Sequence, residues 1–157
     1  MEFIRAISDD HYDAAAALFK EYALAIGIDL SFQQFDLELA GIRTMYSPPQ
    51  GGIILSRDEG GYNGCVAVRM IDNDTGELKR MFVKPAFQGL GIGRKLLEEA
   101  LVLAAECNYS FLRLDTLAPM ETAIHLYMEK GFYVIPAYYH NPNSTAIFFE
   151  KKLDNKL

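Results

Sequence analysis

From Glu77 to Ala105 the sequence reads as a strand, a short loop, a glycine-rich turn and a long helix. Glu77-Leu78-Lys79-Arg80-Met81-Phe82-Val83 supplies the strand. Pro85 ends it, because proline has no N–H to give a ladder. Gly93, Leu96, Leu97, Ala100, Leu101 and Ala104 then recur at the i, i+3, i+4, i+7 spacing of a helix packed on a sheet. Between strand and helix, Gln88-Gly89-Leu90-Gly91-Ile92-Gly93-Arg94 places three glycines in five positions. No Cβ shields the backbone N–H groups there, and the helix N-terminus adds partial positive charge. Such a turn suits an anion, a phosphate or pyrophosphate above all. The alternative is a turn that only closes a strand–helix corner.

Spacing narrows the phosphate ligand. The dinucleotide fingerprint Gly-x-Gly-x-x-Gly would need its third glycine at Arg94, and the P-loop would need Ser or Thr after Lys95, where Leu96 stands. Bulk properties narrow it further. At 157 residues the chain suits one domain, and half its residues are hydrophobic. No apolar run approaches the ~20 residues that span a bilayer. The first residues, Met1-Glu2-Phe3-Ile4-Arg5, do not resemble a signal peptide, so a cytoplasmic location is expected. Cys65 and Cys107 form no Cys-x-x-Cys, so neither a metal site nor a redox pair is expected. A net charge of −6 speaks against nucleic acid as a partner and in favour of a cationic substrate such as an amine.

The remaining elements follow from local patterns. Phe3 to Ile7 alternates as a first strand, and Ser8, Asp9 and Asp10 offer capping oxygens to a helix lined by Ala15, Leu18, Phe19 and Tyr22. Ser31 with Gln34 makes a capping-box pattern for a second helix carrying Phe35, Leu39, Ile42 and Tyr46. Gly52–Arg57 and Asn63–Ile71 read as strands joined at Asp58-Glu59-Gly60-Gly61. The Glu77 strand has a phase slip, since Leu78 and Phe82 share one parity while Met81 and Val83 share the other. A β-bulge produces that slip, and so does burial on both faces. Phe111 to Thr116 is the next strand, so strand–helix–strand implies a parallel pair with a ligand site at its carboxyl ends. A short helix through Ala123, Leu126, Tyr127 and Lys130 stops at Gly131, and strands over Tyr133–Tyr139 and Ala146–Leu153 follow.

Gln88, Gly91 and Gly93 fit the pattern Gln/Arg-x-x-Gly-x-Gly/Ala, and Ala123, Tyr127, Gly131 and Phe132 fit Ala-x-x-x-Tyr-x-x-x-Gly-Phe. In both motifs, their order and the order of elements over nearly the whole chain, the sequence resembles the GNAT-type N-acetyltransferase superfamily. The resemblance implies one α/β domain over residues 1–157. Its sheet would be mixed and mostly antiparallel, of six or seven strands, with a central parallel pair splayed at the cofactor site and about four helices on its faces. It implies acetyl-CoA as co-substrate. The pyrophosphate would be held by Gln88, Gly89, Leu90, Gly91, Ile92, Gly93 and Arg94, and the acetyl and pantetheine portion by the backbone near Met81, Phe82 and Val83. Thr116, Ala123 and Lys130 complete the expected cofactor contacts. Met120 departs from the family, where asparagine is common, and Asp115-Thr116 nearby could substitute.

Acetyl transfer to an amine has three requirements. An amine with a pKa near ~10 must lose a proton to a base, the developing oxyanion needs donors, and the departing thiolate benefits from a proton. By the resemblance, Tyr127 stands beside the cofactor sulfur and is the expected proton donor. Glu77 is the expected base, through water, with Asp115 a weaker alternative. Phe32, Phe35, Tyr46, Tyr138 and Tyr139 could wall an acceptor pocket or pack the core. His125 and His140 read as surface residues, and nothing near Cys65 activates it. A non-catalytic acyl-CoA-binding module and a phosphometabolite-binding protein are the rival functions. The acceptor, small molecule or protein amine, is open, as is a homodimer.

Overall fold

The structure, a computed structural model, describes residues 1–27 and 33–154. Its strands are β1 (Glu2–Arg5), β2 (Gly52–Asp58), β3 (Gly61–Met70), β4 (Thr75–Val83), β5 (Phe111–Leu117), β6 (Tyr133–Ile135) and β7 (Ala146–Lys152). Its helices are α1 (Asp9–Ala25), α2 (Gln33–Ala40), α3 (Ile42–Met45), α4 (Ile92–Glu106) and α5 (Glu121–Glu129). The seven strands form one sheet in the order β1-β2-β3-β4-β5-β7-β6. Every neighbouring pair is antiparallel except β4 and β5.

Two apolar layers hold the helices to this sheet. On one face α4 buries Ile92, Leu96, Leu97, Ala100, Leu103 and Ala104 against Ile54, Val66, Val68, Leu78, Leu112 and Leu114, and α5 adds Tyr127. This is the stripe that the spacing after Gly93 implies. Each large apolar side chain so buried contributes about 1.5–3 kcal/mol. On the other face Ala15, Leu18, Phe19, Phe35, Ile42 and Tyr46 pack on Ile53, Leu55, Cys65, Ala67 and Phe82. Ser8 caps α1 by accepting from the His11 N–H at 3.2 Å, while His11 Nδ1 accepts from the Ser8 N–H. No helix among the described residues is long and apolar enough to cross a membrane.

Two expected elements differ. The second helix, expected as one piece to Tyr46, is divided at Gly41 into α2 and α3. Its capping box at Ser31, and Phe32, lie outside the described residues. The strand expected over Tyr133–Tyr139 stops at Ile135. Pro136 cannot donate to the β7 ladder, and the chain leaves the sheet there.

The phase slip in β4 is a bulge. Lys79 pairs with Ala67 and Phe82 with Cys65, so three steps on β4 match two on β3. Arg80 sits inside the bulge at φ 59°, a left-handed conformation rare for a residue with a side chain. The slip sends Leu78 to the α4 face and Phe82 to the α1 face despite their shared parity.

The parallel pair is short. β4 and β5 are in register at Thr75–Phe111, Gly76–Leu112 and Glu77–Arg113, and no further. β4 runs on to Val83 and β5 to Leu117. Beyond Glu77 and Arg113 the sheet is therefore split, and the edges that face the gap have no strand partner.

Candidate active site

The glycine turn closes one side of the split. A single 3₁₀ turn, Pro85–Phe87, leads from β4 to Gln88, whose side-chain amide donates back to the Val83 carbonyl at 3.0 Å. Gly89 and Gly91 take φ 81° and 82°, and Gly91 is the cap of α4. A Cβ added at either would meet nothing within 4 Å, and at Gly93 only Val83 Cγ2 at 3.9 Å. The turn thus presents bare backbone to open space. No side chain caps α4 and no acidic residue stands in its first turn, where Arg94 and Lys95 lie instead. Helix N-termini ordinarily attract acidic side chains, so two cations there leave this end to an anion from outside. The site fits a phosphate or pyrophosphate group. Arg94 contacts Glu129 and Lys130 donates to Glu98 at 2.8 Å, which fastens α4 to α5 beside the turn.

Tyr127 reaches the split from the same face. Its ring packs edge-on to Phe132 at 5.7 Å and tilted on Phe149 at 6.3 Å. Burial raises its hydroxyl well above the usual tyrosine range, and the neighbouring Tyr22 and Asp115 add to the effect. Both neighbours belong to the opposite face. Tyr22 is on α1 and packs on Phe82 at 5.8 Å, and Asp115 lies on β5 past the last parallel pair. The Tyr127 hydroxyl is therefore influenced by groups across the gap between the strands. It has no hydrogen-bond partner among the described residues, although Tyr127 is only 5% exposed. A buried hydroxyl is ordinarily paired, so an orphan of this kind marks a place where a ligand supplies the partner.

On the α1 face two carboxylates flank the split. Glu77 belongs to its last parallel pair and is 1% exposed, far from the solvated strand end its position allows. Arg69 Nε donates to its Oε1 at 2.8 Å and the Tyr138 hydroxyl to its Oε2 at 2.5 Å. Asp115 accepts from the Tyr139 hydroxyl and from Asn141 Nδ2 at 2.8 Å. The segment that leaves the sheet at Pro136 thus crosses the split and is bonded to both carboxylates. Tyr138 and Tyr139 stand edge-on to Phe148, at 5.2 and 5.4 Å, and the Arg113 guanidinium covers the Tyr138 ring. Burial, and then the Glu77 carboxylate, raise the Tyr138 hydroxyl far above its usual range, so it stays a proton donor.

The bulge is locked from α2. Arg80 Nε and Nη2 hold the two Glu38 oxygens at 3.0 and 2.7 Å, and the Tyr46 hydroxyl adds a third bond at 3.0 Å. Burial alone would raise the Glu38 carboxyl. The bonded Arg80 guanidinium overcomes it and holds the group below the usual carboxylate range. The Cys65 thiol donates to the Arg80 carbonyl at 3.2 Å, and burial pushes that thiol up, so it is no nucleophile.

The expected residues fall into two groups. Glu77, Tyr127 and Thr116 converge on the split with Met81, Phe82 and Val83, while Gln88, Gly89, Leu90, Gly91, Ile92, Gly93 and Arg94 form the turn at its end. Ala123 lies on α5 one turn before Tyr127, and Lys130 at its end is engaged by Glu98. His125 and His140 are exposed, as expected. Arg69, Lys79, Glu38 and the relation of Tyr138 to Glu77 are additions from the structure. Only the slip at Lys79-Arg80 hinted at any of them.

The family model described as the acetyltransferase (GNAT) family matches residues 12–132. An uncharacterised N-acetyltransferase of Schizosaccharomyces pombe is 37% identical over 138 residues, covering 87% of this chain and 85% of its own. Among solved structures, an acetyltransferase from Streptococcus agalactiae superposes with TM-score 0.78 at 22% identity, over 97% of this chain and 98% of that one. A GNAT family acetyltransferase from Elizabethkingia anophelis, solved with acetyl-CoA bound, gives 0.68 at 20% identity over 97% of each chain. The chain belongs to the GNAT acetyltransferase family, and it is an acetyltransferase.

The Glu38–Arg80 pair makes stability depend on pH. Because the folded-state carboxyl is lowered from its ordinary 4.5, its contribution is complete above that value and is lost as pH falls through the folded one. Glu38→Gln leaves Arg80 buried without its counter-charge and should cost about 3 kcal/mol at pH 7. In urea unfolding the deficit should shrink steadily below about pH 4.5. A deficit that is the same at pH 7 and pH 3 would show that the pair does not carry this energy.

Proposed function

We propose that the protein transfers the acetyl group of acetyl-CoA to a primary amine by direct attack, with both substrates bound together. The observation that carries this reading is the Tyr127 hydroxyl, buried beside the divergence of β4 and β5 and unpartnered among the described residues. Bound acetyl-CoA would supply an activated acetyl thioester. The residues of this chain then have separate tasks. The Gly89–Gly93 turn and Arg94 hold the pyrophosphate. The β5-facing backbone N–H groups of the bulged strand donate to the thioester and pantetheine oxygens. Tyr127 gives its proton to the leaving sulfur.

The amine approaches from the α1 face. Glu77 takes its proton, and the Tyr138 hydroxyl is the relay, because it is bonded to Oε2 of the buried Glu77 carboxylate. The phenol passes its own proton to Glu77 as it receives one from the nitrogen. The reaction is balanced as one C–N bond made and one C–S bond broken. Of the two protons an ammonium loses, one replaces that given by Tyr127 to the thiol and one is released. The acetyl-CoA bound to the Elizabethkingia protein and the N-acetyltransferase name of the S. pombe relative support this reading.

CoA should raise the melting temperature, since a ligand bound only by the folded state stabilises it. Gly93→Val should abolish the shift, as its branches, added beside Val83, would crowd the bare backbone of the turn. A full shift in that variant would place the phosphates elsewhere.

Glu77→Gln should slow turnover at neutral pH by about 10²-fold and recover in part at high pH, where free amine is abundant. Tyr138→Phe should share that profile, because it cuts the same relay. Loss by an equal factor at every pH in both variants would point to damaged structure instead of a lost base.

Tyr127→Phe keeps the ring and its contacts. CoA affinity should stay near normal while turnover falls ~10²–10⁴-fold, where chemistry limits the rate. The defect should be smaller with an acyl thioester whose thiol has a lower pKa. Unchanged turnover would remove Tyr127 from the chemistry.

A further inference from the structure

The charges on the acceptor side of the split are unevenly matched, and on the transferase reading they define the acceptor. Around β4 that face carries three cations, Arg69, Lys79 and Arg80, and two carboxylates, Glu77 and Glu38. The arginines take the carboxylates. Arg69 holds Glu77 at 2.8 Å, and Arg80 holds Glu38 with two bonds. Tyr138 occupies the second Glu77 oxygen. Lys79 has only a long ion pair: its Nζ lies 3.9 Å from Glu77 Oε1, beyond hydrogen-bond distance and facing an oxygen already engaged. Yet its side chain is only 17% exposed. An ammonium with three donors thus stands in a largely buried place without an acceptor among the described residues. Buried charges ordinarily have one.

The opposite rim carries the reverse surplus. Arg113 on β5 is matched by Glu150 at 2.8 Å. Asp115, two residues on, has only the Tyr139 hydroxyl and the Asn141 amide, both on its Oδ2, and no cation within ion-pair distance among the described residues. Lys79 and Asp115 stand at corresponding positions, each two residues past the last parallel pair of Glu77 and Arg113. The alternation of each strand puts both on the α1 face. One rim of the gap is therefore positive and the other negative, in a chain whose net charge is −6.

We infer that the acceptor is a free amino acid, its carboxylate docked on the Lys79 ammonium and its amino group held by Asp115. A plain amine would leave Lys79 with only its long pair to Glu77, and a plain acid would leave Asp115 without a cation. An amino group at Asp115 is also beside Tyr139, whose ring lies 5.5 Å from that of Tyr138, the relay. Lys79 is then a specificity residue, which selects the acceptor without taking part in proton transfer.

Thiol release from acetyl-CoA tests this over a panel of free amino acids, each paired with its amide and its decarboxylated amine. The best amino acid should exceed both counterparts in kcat/KM by about tenfold or more, the discrimination expected from one charge-assisted hydrogen bond. Lys79→Met should bring that ratio close to one, chiefly by raising KM for the acid, and Lys79→Arg should keep most of it. Amides or decarboxylated amines that react as well as the acids would overturn the inference while leaving the transferase reading intact. So would an equal loss for all three acceptor types in Lys79→Met, which is what a structural role predicts. Absence of turnover across the panel, with CoA still raising the melting temperature, also counts against a free amino acid. Failure to bind CoA at all would instead remove the transferase reading.

Discussion

The site exists because two parallel strands part company. Glu77 and Arg113 make the last β4–β5 pair, and β4 is then led away by a bulge whose Arg80 stands at φ 59°. A residue with a side chain holds such a backbone only when its surroundings enforce it. Here the enforcement is ionic. Glu38 reaches from α2 to two of the three guanidinium nitrogens, the Tyr46 hydroxyl donates to Glu38, and the Cys65 thiol donates to the Arg80 carbonyl. The apolar layers on either face are continuous enough to carry the fold. The opening between the strands depends on this small polar cluster.

That dependence links parts of the chain that are distant in sequence. α2 reaches the site through Glu38 and Phe35, whose ring lies 5.4 Å from the Arg80 guanidinium. The segment after Pro136 reaches the same region from the other side and is bonded to Glu77 and Asp115. The α1 side of the gap is thus built from elements other than α4, at whose start the glycine turn lies.

Much of the frame was legible in the sequence because it rests on local rules. The stripe behind Gly93 announced α4, Ser8-Asp9-Asp10 announced the start of α1, and the broken alternation at Lys79-Arg80 left a bulge as one of two readings. The turn was legible because glycine at Gly89 and Gly91 reports a backbone requirement directly. The acceptor side was not. Glu38 lies 42 positions from Arg80 and Tyr138 lies 61 from Glu77, and neither carries a spacing that points to its partner. Tyr138 was masked further by the apparent strand through Tyr139, although Pro136 already forbids that ladder. Side-chain pairs over such separations follow from topology, which a periodicity argument does not reach.

The split has a consequence for traffic. The gap lies between α4 and α5 on one side and α1 and the Pro136 segment on the other. On the transferase reading proposed above, donor and acceptor would reach it from opposite faces of the sheet, so neither would have to pass the other on entry. The two products would then also depart by separate doors. Such an arrangement would need no obligatory sequence of arrivals, and a carrier that lingers at the glycine turn would not bar the way to the next acceptor.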